Sequence, residues 1–325
     1  MPFSQLTALR TSLREPVEDE SPDLDWTLAL AGGDGVRLSD YVERRFGRRI
    51  PKQYCCLLGA HSMLEHTLQR LNQLTPAART LTVIGTDHGE LAYPQLCGRS
   101  DHVFRQPCSR DTGVALYVAI AMIRRWHPNA IITITPADHY VSPASRYIEC
   151  VRAARDLAAR LRDTVLILGA RPTEPDSDLG YLALGDPLTE IPEVRRLVGF
   201  VEKPPAAEAE RLIAQGALWN TMVTCASVEA LWGLGRATEP QLLEMLDSLV
   251  PLIGTKDEDD AIAYVYRAVR PVSFSSDMLE RAPERLAAVE LAGVDWSDWG
   301  RPERIEAVLA VRRSRAHAPG RAYAP

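Results

Sequence analysis

From Trp26 onward, short apolar runs alternate with longer amphipathic stretches. The apolar runs, rich in β-branched residues, predict strands at 26–31, 81–84, 130–135, 164–168, 181–184, 194–201 and 286–291. Between them lie helices with readable ends. Ser62 is placed to cap one, Glu65 completes a capping box, and Met63, Leu64, Leu68 and Leu71 form the buried stripe. Ser142-Pro143 opens another, with proline at the first helical position and Tyr147, Val151 and Ala154 on one face. A third covers 205–215 and stops at Gly216. This order predicts an α/β fold: a mostly parallel sheet covered by helices on both faces. The stretch 239–270 differs, with two helical patterns around the acidic run 257–260, and predicts a small helical insertion. The acids there fit a solvated, dipole-favoured helix start. A last helix is predicted over 302–315.

The chain ends frame one unit, 25–315. Residues 1–24 form a flexible acidic lead, where Glu15, Glu18, Asp19, Glu20 and Asp23 crowd beside Pro16 and Pro22, and 316–325 form a flexible tail. With 46% apolar and 25% charged residues, wholesale disorder and collagen are excluded. A net charge of −6 argues against a nucleic-acid binder. The longest apolar run, near 112–123, is far short of the roughly 20 residues a bilayer requires, so no membrane partner is expected. The N-terminus carries no apolar signal region. Six cysteines without a CxxC pair, most of them in apolar stretches, fit reduced core residues of a cytoplasmic protein.

Candidate chemistry begins where the first strand ends, in Leu30-Ala31-Gly32-Gly33-Asp34-Gly35-Val36-Arg37. Three glycines in four positions let the backbone approach an anion, although a tight strand–helix turn would use them too. The turn is neither a dinucleotide fingerprint nor a P-loop. Its company is more informative. Pro51-Lys52-Gln53 follows, then Gln106-Pro107 with Arg110-Asp111-Thr112, Pro136-Ala137-Asp138-His139 and Gly180-Tyr181. Glu202-Lys203-Pro204, Trp219-Asn220 and Trp296-Ser297-Asp298-Trp299-Gly300 complete the set.

In this order the segments resemble the sugar-1-phosphate nucleotidyltransferases, and within them the mannose-1-phosphate guanylyltransferases. The resemblance runs from about Thr27 to Ala310. It implies a Rossmann-like mixed sheet of the nucleotide-diphospho-sugar transferase type. It also implies transfer of a nucleotidyl group from a nucleoside triphosphate, GTP by resemblance, to a hexose 1-phosphate, with release of pyrophosphate. By the same resemblance Arg37 meets the departing phosphates and Lys52 the α-phosphate. The nucleotide rests on Leu30, Ala31, Gly32, Gly33 and Gly35 with Gln106, Arg110, Asp111 and Thr112, its base against 30–32 and the 106–112 loop. Gly180, Glu202, Lys203 and Asn220 hold the sugar phosphate, and Asp138 and Asp298 hold Mg²⁺. Trp219, Trp296 and Trp299 read as core anchors, and His139 as a supporting group rather than a base.

The chain departs from the family pattern at several positions. Val36 stands for Thr, Gln106 for Glu, Asp111 for Asn and Gly113 for Ala; Thr221-Met222 stands for Ser-Gly; and 13 residues separate Arg37 from Pro51. Loss of one hydroxyl–phosphate hydrogen bond at Val36 costs about 1.5–3 kcal/mol, which slows a reaction without abolishing it. Two other classes compete. A non-catalytic paralogue would bind a sugar nucleotide without releasing pyrophosphate. A glycosyltransferase would carry Asp-x-Asp where this chain has Asp138-His139-Tyr140. About 25 residues follow the Trp-Ser-Asp segment, too few for the isomerase domain of larger family members. The 239–270 and C-terminal helices are candidates for self-association into a homo-oligomer.

Overall fold

The computed structural model describes residues 25–316. The acidic lead at 1–24, and the tail after Ala316, lie outside the described residues. In chain order the elements are β1 (Asp25–Ala31), α1 (Ser39–Phe46), α2 (Met63–Leu71), β2 (Thr80–Ile84), α3 (Gly89–Leu96), β3 (His102–Arg105), α4 (Asp111–Trp126), β4 (Ile131–Pro136), β5 (Tyr140–Ser142), α5 (Ala144–Arg160) and β6 (Val165–Ala170). Then follow β7 (Gly180–Leu188), β8 (Ile191–Glu202), α6 (Ala206–Ala214), β9 (Leu218–Ser227), α7 (Val228–Thr238), α8 (Pro240–Leu249), α9 (Glu258–Ala268), β10 (Leu286–Glu290), β11 (Asp295–Ser297) and α10 (Pro302–Ala316).

Nine strands form one sheet in the order β3-β2-β1-β4-β9-β6-β10-β8-β7. β3, β2, β1 and β4 are mutually parallel, and β10 is parallel to β6. β9 runs antiparallel between β4 and β6, so the sheet is mixed where the two halves join. Helices cover both faces. The largest core packs α4, α7, α8 and α9 against one face, and a second core packs α5 against the other. α4 is buried from Gly113 to Ile123, which accounts for the longest apolar run in the sequence. Among the described residues no helix is long and apolar enough to cross a membrane.

The seven strands marked by periodicity are present, and the Ser62 capping box forms, with the Glu65 amide donating to the hydroxyl at 3.1 Å. The second helix starts one residue after Pro143, and Tyr147, Val151 and Ala154 face inward. α8 and α9 occupy the 239–270 stretch, and their apolar side chains join the largest core. Asp257 precedes α9 and Glu258, Asp259 and Asp260 form its first turn. Periodicity does not mark β9. That strand is buried along nearly its whole length, so inward and outward positions do not alternate, and it carries Asn220, Thr221 and Thr224 within the core. The cysteine reading holds for Cys55, Cys150 and Cys225, which are buried; Cys56 and Cys97 are exposed, and all six thiols are free.

Candidate active site

Every segment singled out in the sequence comes to one edge of the sheet, the carboxyl end of its parallel strands. β1 and β4 end side by side, with Leu30 opposite Pro136, and the Ala137 amide closes on the Leu30 carbonyl at 2.9 Å. β9 runs the other way, so its start reaches the same edge: Asn220 lies opposite Gly169 of β6. The β7–β8 hairpin adds Gly180 opposite Glu202. Open α/β sheets bind ligands at such an edge.

The glycine turn is held from below. Gln53, 3% exposed, donates both amide hydrogens, to the carbonyls of Ala31 at 2.8 Å and Gly33 at 2.7 Å. Gly35 adopts φ 64°, where a side chain is strained, and a Cβ there would stand 3.1 Å from the Lys52 amide nitrogen. A Cβ on Gly32 would overlap the amide of Gln106, whose side chain closes that side of the cleft. The loop that follows is strutted to the segment after α9. Arg110 Nε donates to the Tyr266 carbonyl at 2.9 Å, Thr112 Oγ1 accepts from the Phe274 amide at 3.1 Å, and Asp111 Oδ1 accepts from the Thr112 amide at 2.6 Å. A Cβ on Gly113 would stand 2.7 Å from the Val272 carbonyl oxygen, a physical reason for glycine at a position where the resembled family has alanine.

The reactive charges gather around Lys52, which is 5% exposed. Its ammonium lies 2.9 Å from Asp138 Oδ2 and donates to the carbonyls of Asp298 and Trp299. The small β5–β11 ladder makes this possible. Tyr140 pairs with Ser297, which sets residues 138–139 beside 298–299, and the Tyr140 and Trp299 rings stack at 5.2 Å. Burial would raise the Asp138 carboxyl, but the Lys52 charge and hydrogen bond chiefly outweigh it and hold the group below its ordinary value. Burial pushes His139 below its ordinary value despite the Asp138 charge, which makes the neutral ring a good acceptor for Trp296 Nε1 at 3.3 Å.

Asp298 is held by a partner the sequence does not mark. Arg304 of α10 bridges the Asp298 and Asp176 carboxylates, and Arg301 pairs with Asp178. Arg37 stands apart from this cluster. It is exposed, and the charge it acts on is Asp178, whose carboxyl is held low by the Arg301 hydrogen bond and, more weakly, by Arg37 itself. Two of the basic residues after Arg37 are neutralised locally: Arg49 pairs with Glu43 and Asp40, and Arg45 with Glu306. The Lys52 ammonium lies between the Asp138 carboxylate and the Asp298 backbone carbonyl, while the Asp298 carboxylate turns to Arg304; the two carboxylates are hard oxygen donors, a chemistry that fits Mg²⁺. Among the described residues no third metal-ligating side chain joins them, so phosphate oxygens would have to complete the shell.

On the other side of the cleft, Lys203 Nζ pairs with Glu202 Oε1 at 2.9 Å, half-exposed. A Cβ on Gly180 would stand 2.7 Å from Glu202 Oε2. Asn220 is buried, and its Oδ1 accepts from the Met222 amide at 2.9 Å. Among the described residues four non-glycines have positive φ: Asp111, Lys203, Met222 and Trp299. All four lie in these segments. Left-handed backbone costs of order 1–3 kcal/mol per residue and persists where function requires it.

Residues 27–311 match the profile of the nucleotidyl transferase family, and the chain belongs to that family. It is similar to mannose-1-phosphate guanylyltransferase of Escherichia coli, 26% identical over 283 residues that cover 83% of this chain and 58% of the relative. The corresponding protein of Sinorhizobium fredii is 24% identical over 82% of this chain and 48% of its own length. The chain therefore spans about half the length of the curated relatives it matches. Among solved structures, mannose-1-phosphate geranyltransferase from Thermus thermophilus superposes with a TM-score of 0.76. It is 31% identical, covering 88% of this chain and 79% of that one.

Proposed function

We propose that this protein transfers a nucleotidyl group from a nucleoside triphosphate to a hexose 1-phosphate and releases pyrophosphate, with GTP and mannose 1-phosphate as the pair. The observation that carries the reading is Lys52, nearly buried between Asp138 and Asp298 at the edge where the glycine turn and the Gly180–Glu202–Lys203 corner meet. Such chemistry needs no covalent help from the protein: it needs two anions brought into line and the developing charge neutralised.

The Gly32–Gln106 side takes the base and the turn takes the triphosphate. Lys203 and Glu202 orient the sugar phosphate so that its oxygen meets the α-phosphorus opposite the pyrophosphate. Lys52 lies where negative charge grows on the α-phosphate, and Arg37, exposed beside the turn, is free to swing onto the departing phosphates. Mg²⁺ held by Asp138 and Asp298 would supply charge neutralisation to the same phosphates. Arg304 fixes Asp298, and Lys52 fixes Asp138, before substrate arrives. Cytoplasmic residence is part of the proposal, on the cysteine pattern.

The test is pyrophosphate release with Mg²⁺ across a grid of nucleoside triphosphates and hexose 1-phosphates. A signal confined to GTP with mannose 1-phosphate is the expected result. A different single pair would keep the reaction and replace the substrates. Silence across the grid from folded, nucleotide-binding protein would overturn the reading in favour of a non-catalytic paralogue, a class to which Val36 on the turn, 74% exposed, would belong.

A further inference from the structure

Behind the metal-side carboxylates lies a second cavity of about 300 Å³, between α2, β5, the start of α5 and α10. It shares one wall with the site described above, His139 and Tyr140, and is otherwise separate from it. Its charge is one-sided: Arg70 and Arg312 line it beside the imidazoles of His66 and His139, and no carboxylate does.

Arg70 is the unusual member. The buried Lys52, Arg155 and Arg304 each lie against a carboxylate. Arg70 has none within ion-pairing distance among the described residues. Its guanidinium donates to Thr67 Oγ1 at 3.0 Å and rests over the Tyr147 ring, while its buried Nε has no hydrogen-bond partner. A planar guanidinium on a cavity wall, with no carboxylate to neutralise it among the described residues, matches the fork geometry of phosphate or carboxylate oxygens. His66 is occupied, its Nε2 on the Leu58 carbonyl at 2.9 Å, so it serves as wall. Arg312 is exposed on α10 at the mouth, where a second charge would meet an entering anion. The remaining wall mixes apolar Met63 and Val141 with the amides of Gln69 and Gln73, suited to a small polyol body.

We propose that this cavity is an effector site for a small phosphorylated metabolite, its phosphate on Arg70 and Arg312, and that occupancy acts on the reaction through the shared His139–Tyr140 wall. Binding stands on the cavity alone; only the effect on turnover rests on the function proposed above.

The test is equilibrium dialysis of labelled inorganic phosphate, then of a hexose 6-phosphate, against the full chain, Arg312→Gln and Lys203→Ala. Arg312 is exposed and outside the proposed catalytic machinery, so Arg312→Gln is expected to fold and to keep basal turnover. Binding to the cavity should weaken at least tenfold in Arg312→Gln and stay unchanged in Lys203→Ala, which instead loses the sugar-side phosphate. Arg70→Lys, which keeps the charge and loses the fork, should fall between wild type and Arg312→Gln. Tighter binding of the hexose phosphate than of phosphate alone marks the metabolite as the natural occupant, and equal binding would overturn that part. If Arg312→Gln binds both anions as wild type does, the site is refuted. If binding is lost but wild-type turnover never responds to either anion, the effector role is refuted. Failure of the proposed function is read separately, from Lys203→Ala and from the pyrophosphate assay.

Discussion

The two banks of the cleft in the proposed reading, phosphate and sugar, are built on different principles. On the phosphate bank, apart from the exposed Arg37, the charges are largely buried and already paired: Lys52 on Asp138, Arg304 across Asp298 and Asp176. On the sugar bank the pair Lys203–Glu202 is half-exposed, and Lys203 and Met222 sit in left-handed backbone. Buried pairs are set before substrate binds and cost no reorganisation when charge develops. Exposed pairs on strained loops remain adjustable. The phosphate bank is thus expected to govern rate and stability together, and the sugar bank to govern binding with little effect on stability.

The largest effect tests that contrast directly. Lys52→Met should lower turnover by about 10²–10³-fold, the scale for removing one preorganised charge from a closed site. It should also destabilise the fold by about 1–3 kcal/mol in urea unfolding, below the figure for a fully buried pair because Asp138 is one-third exposed. Unchanged stability would show that the buried pairing does not support the fold. Lys203→Ala should raise KM for the hexose phosphate about ten- to a hundredfold, the value of a charged hydrogen bond, while leaving stability within about 0.5 kcal/mol. A loss in kcat with unaltered KM would move Lys203 to the phosphate bank.

Steric probes separate the banks further. Gly32→Ala displaces Gln106 and should raise KM for nucleotide about tenfold; Gly180→Ala displaces Glu202 and should do the same for hexose phosphate only. A crossed result would break the assignment of the two sides. The smallest effect is in pH. His139 binds a proton less readily in the fold than in the unfolded chain, so its stabilisation is complete above pH 6.5 and is lost as pH falls below it. His66 shares this sign. His139→Gln should therefore reduce, without abolishing, the loss of urea stability between pH 6.5 and 5, and an unchanged slope would show that His139 does not titrate as its burial implies.

Much of the cleft can be read from the chain because its parts are short motifs at strand ends. Glycines, Pro-Lys-Gln and Pro-Ala-Asp-His keep their identity whatever the packing around them. What stays hidden depends on partners far away in sequence. Arg304 and Asp176 are 128 residues apart, and each alone looks like a solvated surface charge. Gln53 stands inside a quoted motif, yet only the fold shows it gripping the turn. β9 is hidden because a strand buried on both faces does not alternate, and its polar Trp-Asn-Thr start resembles a loop. One signal is available: Gly113 in the first turn of an otherwise apolar helix is unfavourable locally, which points to a close neighbour, here the Val272 carbonyl.

The pairing of Tyr140 with Ser297 joins positions separated by nearly half the chain. On a ribosome the glycine turn, Lys52 and Asp138 emerge well before Asp298 and the arginine that holds it. A nascent chain can shape the glycine turn long before it can bring Asp298 and Arg304 up to Lys52 and Asp138. If the proposed reading holds, the nascent protein is expected to stay catalytically silent until β11 has been made and docks on β5.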